Sequence, residues 1–190
     1  MERHDAAQRW WLLTARGALY ILIGAVMFVF ANTYSALTGH IIGVLAILAG
    51  LCGLGFAFTN QRAEKNNIWG ILHGLTDVAF GIAIWVYSEG TIKGLVDVLG
   101  FWAMMYAFLQ AVQAMYVMFS AKSAGGMNYP GKVIHFLNVL VAGGFAFMLL
   151  LRPQGFSDSL GLAGFFPIAL GVLIIVLTQQ LRAQSVERAR

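Results

Sequence analysis

Six apolar runs, each close to the length that crosses a bilayer and separated by short polar loops, take up most of this 190-residue chain. They lie at approximately residues 10–31, 38–58, 68–87, 95–119, 133–151 and 160–181, near the ~20 residues that one helical span requires. In lipid, a segment satisfies its own N–H and C=O groups only as an α-helix, closed β-barrels aside. The spacing therefore predicts an all-α membrane protein with six transmembrane helices, a single integral membrane domain over residues 1–190. Composition agrees, since 59% of the residues are hydrophobic and only 11% charged, against roughly 25% charged in a soluble domain. The first run begins at Trp10 and Trp11 and is longer than a signal-peptide core. It reads as a retained span with both indoles in the interfacial aromatic belt.

Indexing the glycines reveals an internal repeat. Gly17, Gly24 and Gly43 recur 57 residues later as Gly74, Gly81 and Gly100, while Gly81 has a further counterpart at Gly144 and Gly100 at Gly164. The second run of each successive pair carries two small residues seven positions apart: Gly43 and Gly50, Gly100 and Ala107, Gly164 and Gly171. Small residues let helix backbones approach closely in lipid, where packing contacts drive association. The pattern predicts three pseudo-repeated helical hairpins, with Gly24, Gly43, Gly50, Gly81, Gly100, Gly144, Gly164 and Gly171 as helix-packing positions. One such hairpin could not bury its small-residue face alone.

Charge sets the expected orientation. With six spans, both termini and the two loops between hairpins share one side. That side would hold Arg3, Arg9, Arg16, Arg62, Lys65, Lys122, Lys132, Arg182, Arg188 and Arg190, while the turns within hairpins hold Lys93 and Arg152. The positive-inside rule then predicts a multi-pass protein of the bacterial cytoplasmic (inner) membrane with both termini cytoplasmic. The net charge of +4 is scattered singly at span ends, without the basic cluster that neutralises phosphates. The expected partner is the lipid bilayer and not nucleic acid, and a homo-oligomer or a membrane-protein partner is compatible with the Gly-rich second span. The single Cys52 excludes an intrachain disulfide.

Asp77, near the middle of the third run, is the sharpest chemical signal. An ionised carboxylate at the bilayer centre costs at least ~2.5–3.5 kcal/mol, so such groups face the bundle or a wet cavity. His73 stands at i−4 on the same helix face, a spacing at which side chains meet. Three readings stay open. Asp77 is a protonatable group tuned by His73, or it binds a ligand or partner within the membrane, or it is a protonated or hydrogen-bonded packing residue. The repeat puts Arg16 and Tyr20 at the places of His73 and Asp77 in the first hairpin, and Phe136 and Leu140 in the third. Arg16 is expected to snorkel toward the headgroups, with an interhelical ion pair as the alternative.

Other polar groups are weaker candidates. His135 and Asn138 form a pair on the fifth run, and Gln110 and Gln113 share a face of the fourth, as helix-to-helix glue commonly does. Glu89, Lys93, Asp97 and Asp158 gather toward the opposite membrane face, with His40 nearby. His73 and His135 would suit a bis-histidine haem, but no motif supports it, and no cofactor is expected. The Met and aromatic residues of the fourth run read as packing. The chain holds no HExxH, P-loop, GxSxG, paired-carboxylate set or Cys/His metal spacing. Neither a catalytic constellation nor a metal site is expected, and the function is expected to be non-enzymatic.

The segments RGALYILIGAVMFVF (residues 16–30) and HGLTDVAFGIAIWV (residues 73–86), with LRP at 151–153, resemble the HdeD-like family of bacterial inner-membrane proteins. The resemblance extends over nearly the whole chain, mostly through scaffold glycines. It implies the three-hairpin fold and a contribution to acid or envelope stress tolerance, with no catalytic residues to carry over. A small membrane transporter or channel, with a polar path between hairpins, is the alternative.

Overall fold

The computed structural model describes residues 9–60, 68–89, 92–121, 136–137, 139–144, 146–148 and 160–187. Among these residues there is no β-strand. Five long helices are α1 (Trp10–Val29), α2 (Ala36–Asn60), α3 (Ile68–Tyr87), α4 (Ile92–Ala121) and α5 (Leu160–Glu187), and residues 139–144 and 146–148 are also helical. At 1.5 Å rise per residue, the 20 residues of α1 or α3 span roughly the hydrocarbon thickness of a membrane.

Four helices, α1 to α4, are long and apolar enough to cross a bilayer, and they coincide with the first four expected spans to within a few residues. The sixth expected span falls within α5, whose apolar part is Ala163–Gln179. The fifth, 133–151, lies only partly within the described residues. Large apolar side chains point outward from every side, among them Leu22, Leu48, Leu75, Phe101 and Val172. A soluble monomer does not expose apolar surface on this scale, whereas lipid accepts it. The helices lack a polar stripe because their outer faces need none.

α5 packs on α1, α1 on α2, α2 on α3 and α3 on α4, while α4 touches α5 more lightly. Two of these contacts are backbone-to-backbone crossings between glycines. On α1 and α5, Gly17 meets Gly171 and Gly24 meets Gly164, and on α2 and α3, Gly50 meets Gly74 and Gly43 meets Gly81. A Cβ on Gly171 would stand 2.5 Å from the Gly17 carbonyl oxygen, and one on Gly81 would stand 2.9 Å from that of Gly43. No side chain fits there. Six of the eight predicted packing glycines therefore behave as expected. Gly100 is buried. Gly144 is a correction, since an added Cβ would meet nothing within 4 Å. Its neighbour Gly143 stands nearer to α4, where an added Cβ would lie 3.9 Å from that of Ala107.

The end of the α1–α2 hairpin is tied to the end of α3. Ser35 accepts a hydrogen bond from the Thr38 amide at the start of α2, as helix N-caps do. Tyr34 Oη donates to the Ser88 carbonyl at 2.9 Å, and Gly39 lies so close to Ser88 that a Cβ would come within 2.6 Å of the serine Cβ. Burial pushes the Tyr34 phenol above its usual value, away from a neutral pH at which it is a donor in any case. Tyr34→Phe is expected to lower stability by about 1 kcal/mol, read as an earlier thermal transition of the detergent-solubilised protein.

The centre of the bundle is aromatic. Tyr20, Trp102, Tyr106 and Phe166 are almost wholly buried, packed with Ile23, Met27 and Leu170. Trp102 stacks on Tyr20 at 5.4 Å between ring centroids and meets Phe166 edge-on at 5.9 Å. Into this apolar centre the fold inserts a short row of polar side chains.

Candidate functional site

α1 and α3 are not packed along their length, yet long side chains join them through the middle of the bundle. Arg16 donates from Nη2 and Nε to Asp77 Oδ2, at 2.7 and 3.1 Å. Tyr20 Oη donates to Asp77 Oδ1 at 2.5 Å, and Trp102 Nε1, from α4, donates to the same oxygen at 3.2 Å. Asp77 is completely enclosed and Arg16 is 5% exposed. Both carboxylate oxygens are thus filled by donors from two other helices, the arrangement that suits an acceptor-only, ionised carboxylate. Charge-assisted bonds of this kind are roughly twice as strong as neutral ones.

The surroundings hold the cation as well. The Arg16 guanidinium carbon lies 5.7 Å from the Tyr20 ring centroid and 6.0 Å from that of Tyr106, within cation–π range. Gly53 of α2 leaves it room, as a Cβ there would lie 3.4 Å from Arg16 Nε. Arg16 therefore does not snorkel. The open alternative, an interhelical ion pair, is the one the fold takes, because Asp77 offers its carboxylate to Arg16 inside the bundle.

His73 is also buried, but its described partners differ from the sequence expectation. Nδ1 lies 2.7 Å from the Trp69 carbonyl oxygen, so it carries the proton and donates. Nε2 lies 3.2 Å from Gln110 Nε2 and accepts from that amide. This is the neutral Nδ1–H tautomer, assigned from the hydrogen-bond pattern. The Tyr106 ring packs edge-on against the imidazole at 4.8 Å. Gln110 is itself buried, and its Oε1 is enclosed with no hydrogen-bond partner among the described residues. An acceptor left so costs about 1–3 kcal/mol.

One cluster therefore gathers Asp77, His73 and Gln110 from the sequence candidates, with Arg16, Tyr20, Trp102 and Tyr106 added. Gln113 is half-buried one turn further along α4. His40 is half-buried against Trp85, 5.7 Å between rings, toward the other end of the bundle. Glu89 and Lys93 are exposed and Asp97 half-buried near that end. His135, Asn138 and Asp158 lie outside the described residues. Phe136 and Leu140, which the glycine spacing sets at the places of His73 and Asp77, are 62% and 53% exposed, and the described polar centre draws on α1, α3 and α4. Among the described residues no three His, Cys, Asp or Glu side chains gather as metal ligands.

Tyr20→Phe tests the cluster directly. It removes one hydrogen bond to a charged group and is expected to destabilise by about 1.5–3 kcal/mol. Reversible unfolding of the purified protein in mixed micelles, with Phe substituted at the exposed Tyr87 as a neutral control, would show it.

Bilayer-length apolar helices, an outward apolar surface and a polar centre enclosed within it define an integral membrane protein. Residues 15–86, which carry most of α1, all of α2 and nearly all of α3, match a family model described as a short repeat of unknown function (DUF308). That family includes HdeD-like membrane proteins. No curated protein and no solved structure matches the chain. The matched stretch contains Arg16, Tyr20, His73 and Asp77, and so holds both sides of the ion pair.

Proposed function

We propose that this chain is a non-enzymatic inner-membrane protein of the HdeD-like type that contributes to acid or envelope stress tolerance. Its six spans form three hairpins, with both termini in the cytoplasm. The single observation that carries the reading is the enclosed Arg16–Asp77 pair, whose carboxylate also takes donors from Tyr20 and Trp102. A charged network of this kind is a poor source of net stability and is more often retained in membranes for function. Its partners come from three different helices if α3 itself is counted, so a change of protonation within it would be felt across the bundle. The sequence resemblance and the family match over residues 15–86 support the same class.

Survival of an acid challenge by a deletion strain tests this reading. Wild type is expected to restore survival, and Asp77→Asn, present in the membrane at equal level, to lose most of that protection. Equal protection by the variant would leave the pair as scaffold alone. No protection by wild type would remove the stress-tolerance reading.

A second reading, a small transporter or channel, draws on the enclosed and unpartnered Gln110 Oε1. Proton or solute flux into liposomes containing the purified protein, abolished in Asp77→Asn, would favour it.

A further inference from the structure

We infer that the His73–Gln110 contact is a proton-operated joint between α3 and α4. The inference rests on reading the polar centre as the acid-responsive part of the protein, and it names the atoms that respond. The Trp69 carbonyl holds the proton on Nδ1, so a second proton can only enter at Nε2. That nitrogen now accepts from the Gln110 amide nitrogen at 3.2 Å. Once Nε2 carries a proton, two N–H donors face one another and the bond is lost.

The amide has one way to recover it, a half-turn that brings Oε1 to the imidazolium. Oε1 is the enclosed end with no partner, so the turn gives it a charge-assisted bond. It also carries the NH2 group into the closed position that Oε1 leaves, where two donors need an acceptor or water. The Tyr106 hydroxyl beside Gln110 can accept one of them, and the other requires α4 to shift against α3. The contact between α3 and α4 is lighter than that between α2 and α3.

The charges around the joint act in the same direction. From α1, Arg16 and Tyr20 approach it, with Arg16 6.0 Å from the Tyr106 ring that His73 also packs against. From α3, Asp77 stands one turn away, already engaged by Arg16, Tyr20 and Trp102. From α4 come Tyr106 and Gln110. The described residues between 136 and 148 carry no titratable group. An imidazolium would thus put a second cation beside the Tyr106 ring, where Asp77 is already engaged by Arg16.

The test is histidine and glutamine side-chain 15N NMR of the full chain in lipid nanodiscs, taken from about pH 8 to about pH 5, the range in which histidines change charge. At the upper end His73 is expected as the Nδ1–H tautomer. On acidification Nε2 gains a proton, and the Gln110 amide and backbone signals of α4 near it move over the same interval. In His73→Phe the α4 signals are expected to stay fixed, and in Gln110→Leu His73 titrates without moving them. An Nε2–H tautomer at the start, a His73 that holds one state throughout, or α4 shifts that persist in His73→Phe would each overturn the joint. The wild-type tautomer decides the matter even if either variant fails to fold. A working joint in a protein that gives no acid protection removes the stress-tolerance reading alone, and protection with a silent His73 removes the joint alone.

Discussion

Arg16→Met is expected to destabilise the protein by about 3–5 kcal/mol, the cost of leaving one member of a buried ion pair without its counter-charge. The methionine fills much of the arginine's stem volume, so the loss measures charge more than cavity. Asp77 would then keep Tyr20 and Trp102 as donors but no cation, in a position with no exposure to solvent. Arg16→Met combined with Asp77→Asn is expected to regain most of the loss. The asparagine retains an oxygen for Tyr20 and Trp102 and removes the uncompensated charge. A double-mutant cycle on the purified protein, read by unfolding in mixed micelles, gives the coupling. Additive single effects would mean that the two side chains do not depend on one another.

The second large effect belongs to the glycine crossings. Gly171→Ala and Gly24→Ala each place a Cβ against a backbone carbonyl of the facing helix, that of Gly17 and of Gly164 respectively. A carbonyl cannot rotate away as a flexible side chain can, so α1 and α5 must move apart. The expected cost is about 1–3 kcal/mol for alanine, with loss of the folded protein for isoleucine. Gly55→Ala is the matched control, since its Cβ would sit 3.7 Å from Leu12 Cδ1, an ordinary contact. Gly144→Ala, with open space around it, should also be tolerated. Similar melting shifts at all four positions would show that helix propensity, and not close approach, sets the effect.

Much of this fold was legible in the sequence because the bilayer imposes it. Apolar runs of one length admit only helices, and four of the expected spans appear in place. The glycine index went further, since the residues it singled out on α1, α2, α3 and α5 are those whose backbones touch. What the index did not say was which helix each would meet. The polar centre was half legible. Asp77 stood out by its cost in lipid, but helical spacing pointed it to His73, its neighbour on the same face. A short carboxylate reaches across a helix gap more readily when a long arginine comes to meet it, and Arg16 has that length. The clue lay in the repeat itself. In the 57-residue spacing of the glycines Arg16 falls at the place of His73 and Tyr20 at that of Asp77, and all four side chains meet at one centre. Trp102 and Tyr106 gave no such clue, because a buried indole or phenol looks the same in a sequence whether or not its polar atom finds a partner.

The contact between α1 and α5 joins the first described helix to the last, and this has a consequence for biosynthesis. Gly17 leaves the ribosome long before Gly171 does; at about 5–20 residues per second the interval is roughly eight to thirty seconds. Throughout that time the groove on α1 faces lipid, the insertion machinery or a neighbouring chain. Closure of the bundle therefore waits until α5 has been made. Chains that stop short of α5 should be recognised by membrane proteases as unfinished, however well their first four helices have inserted.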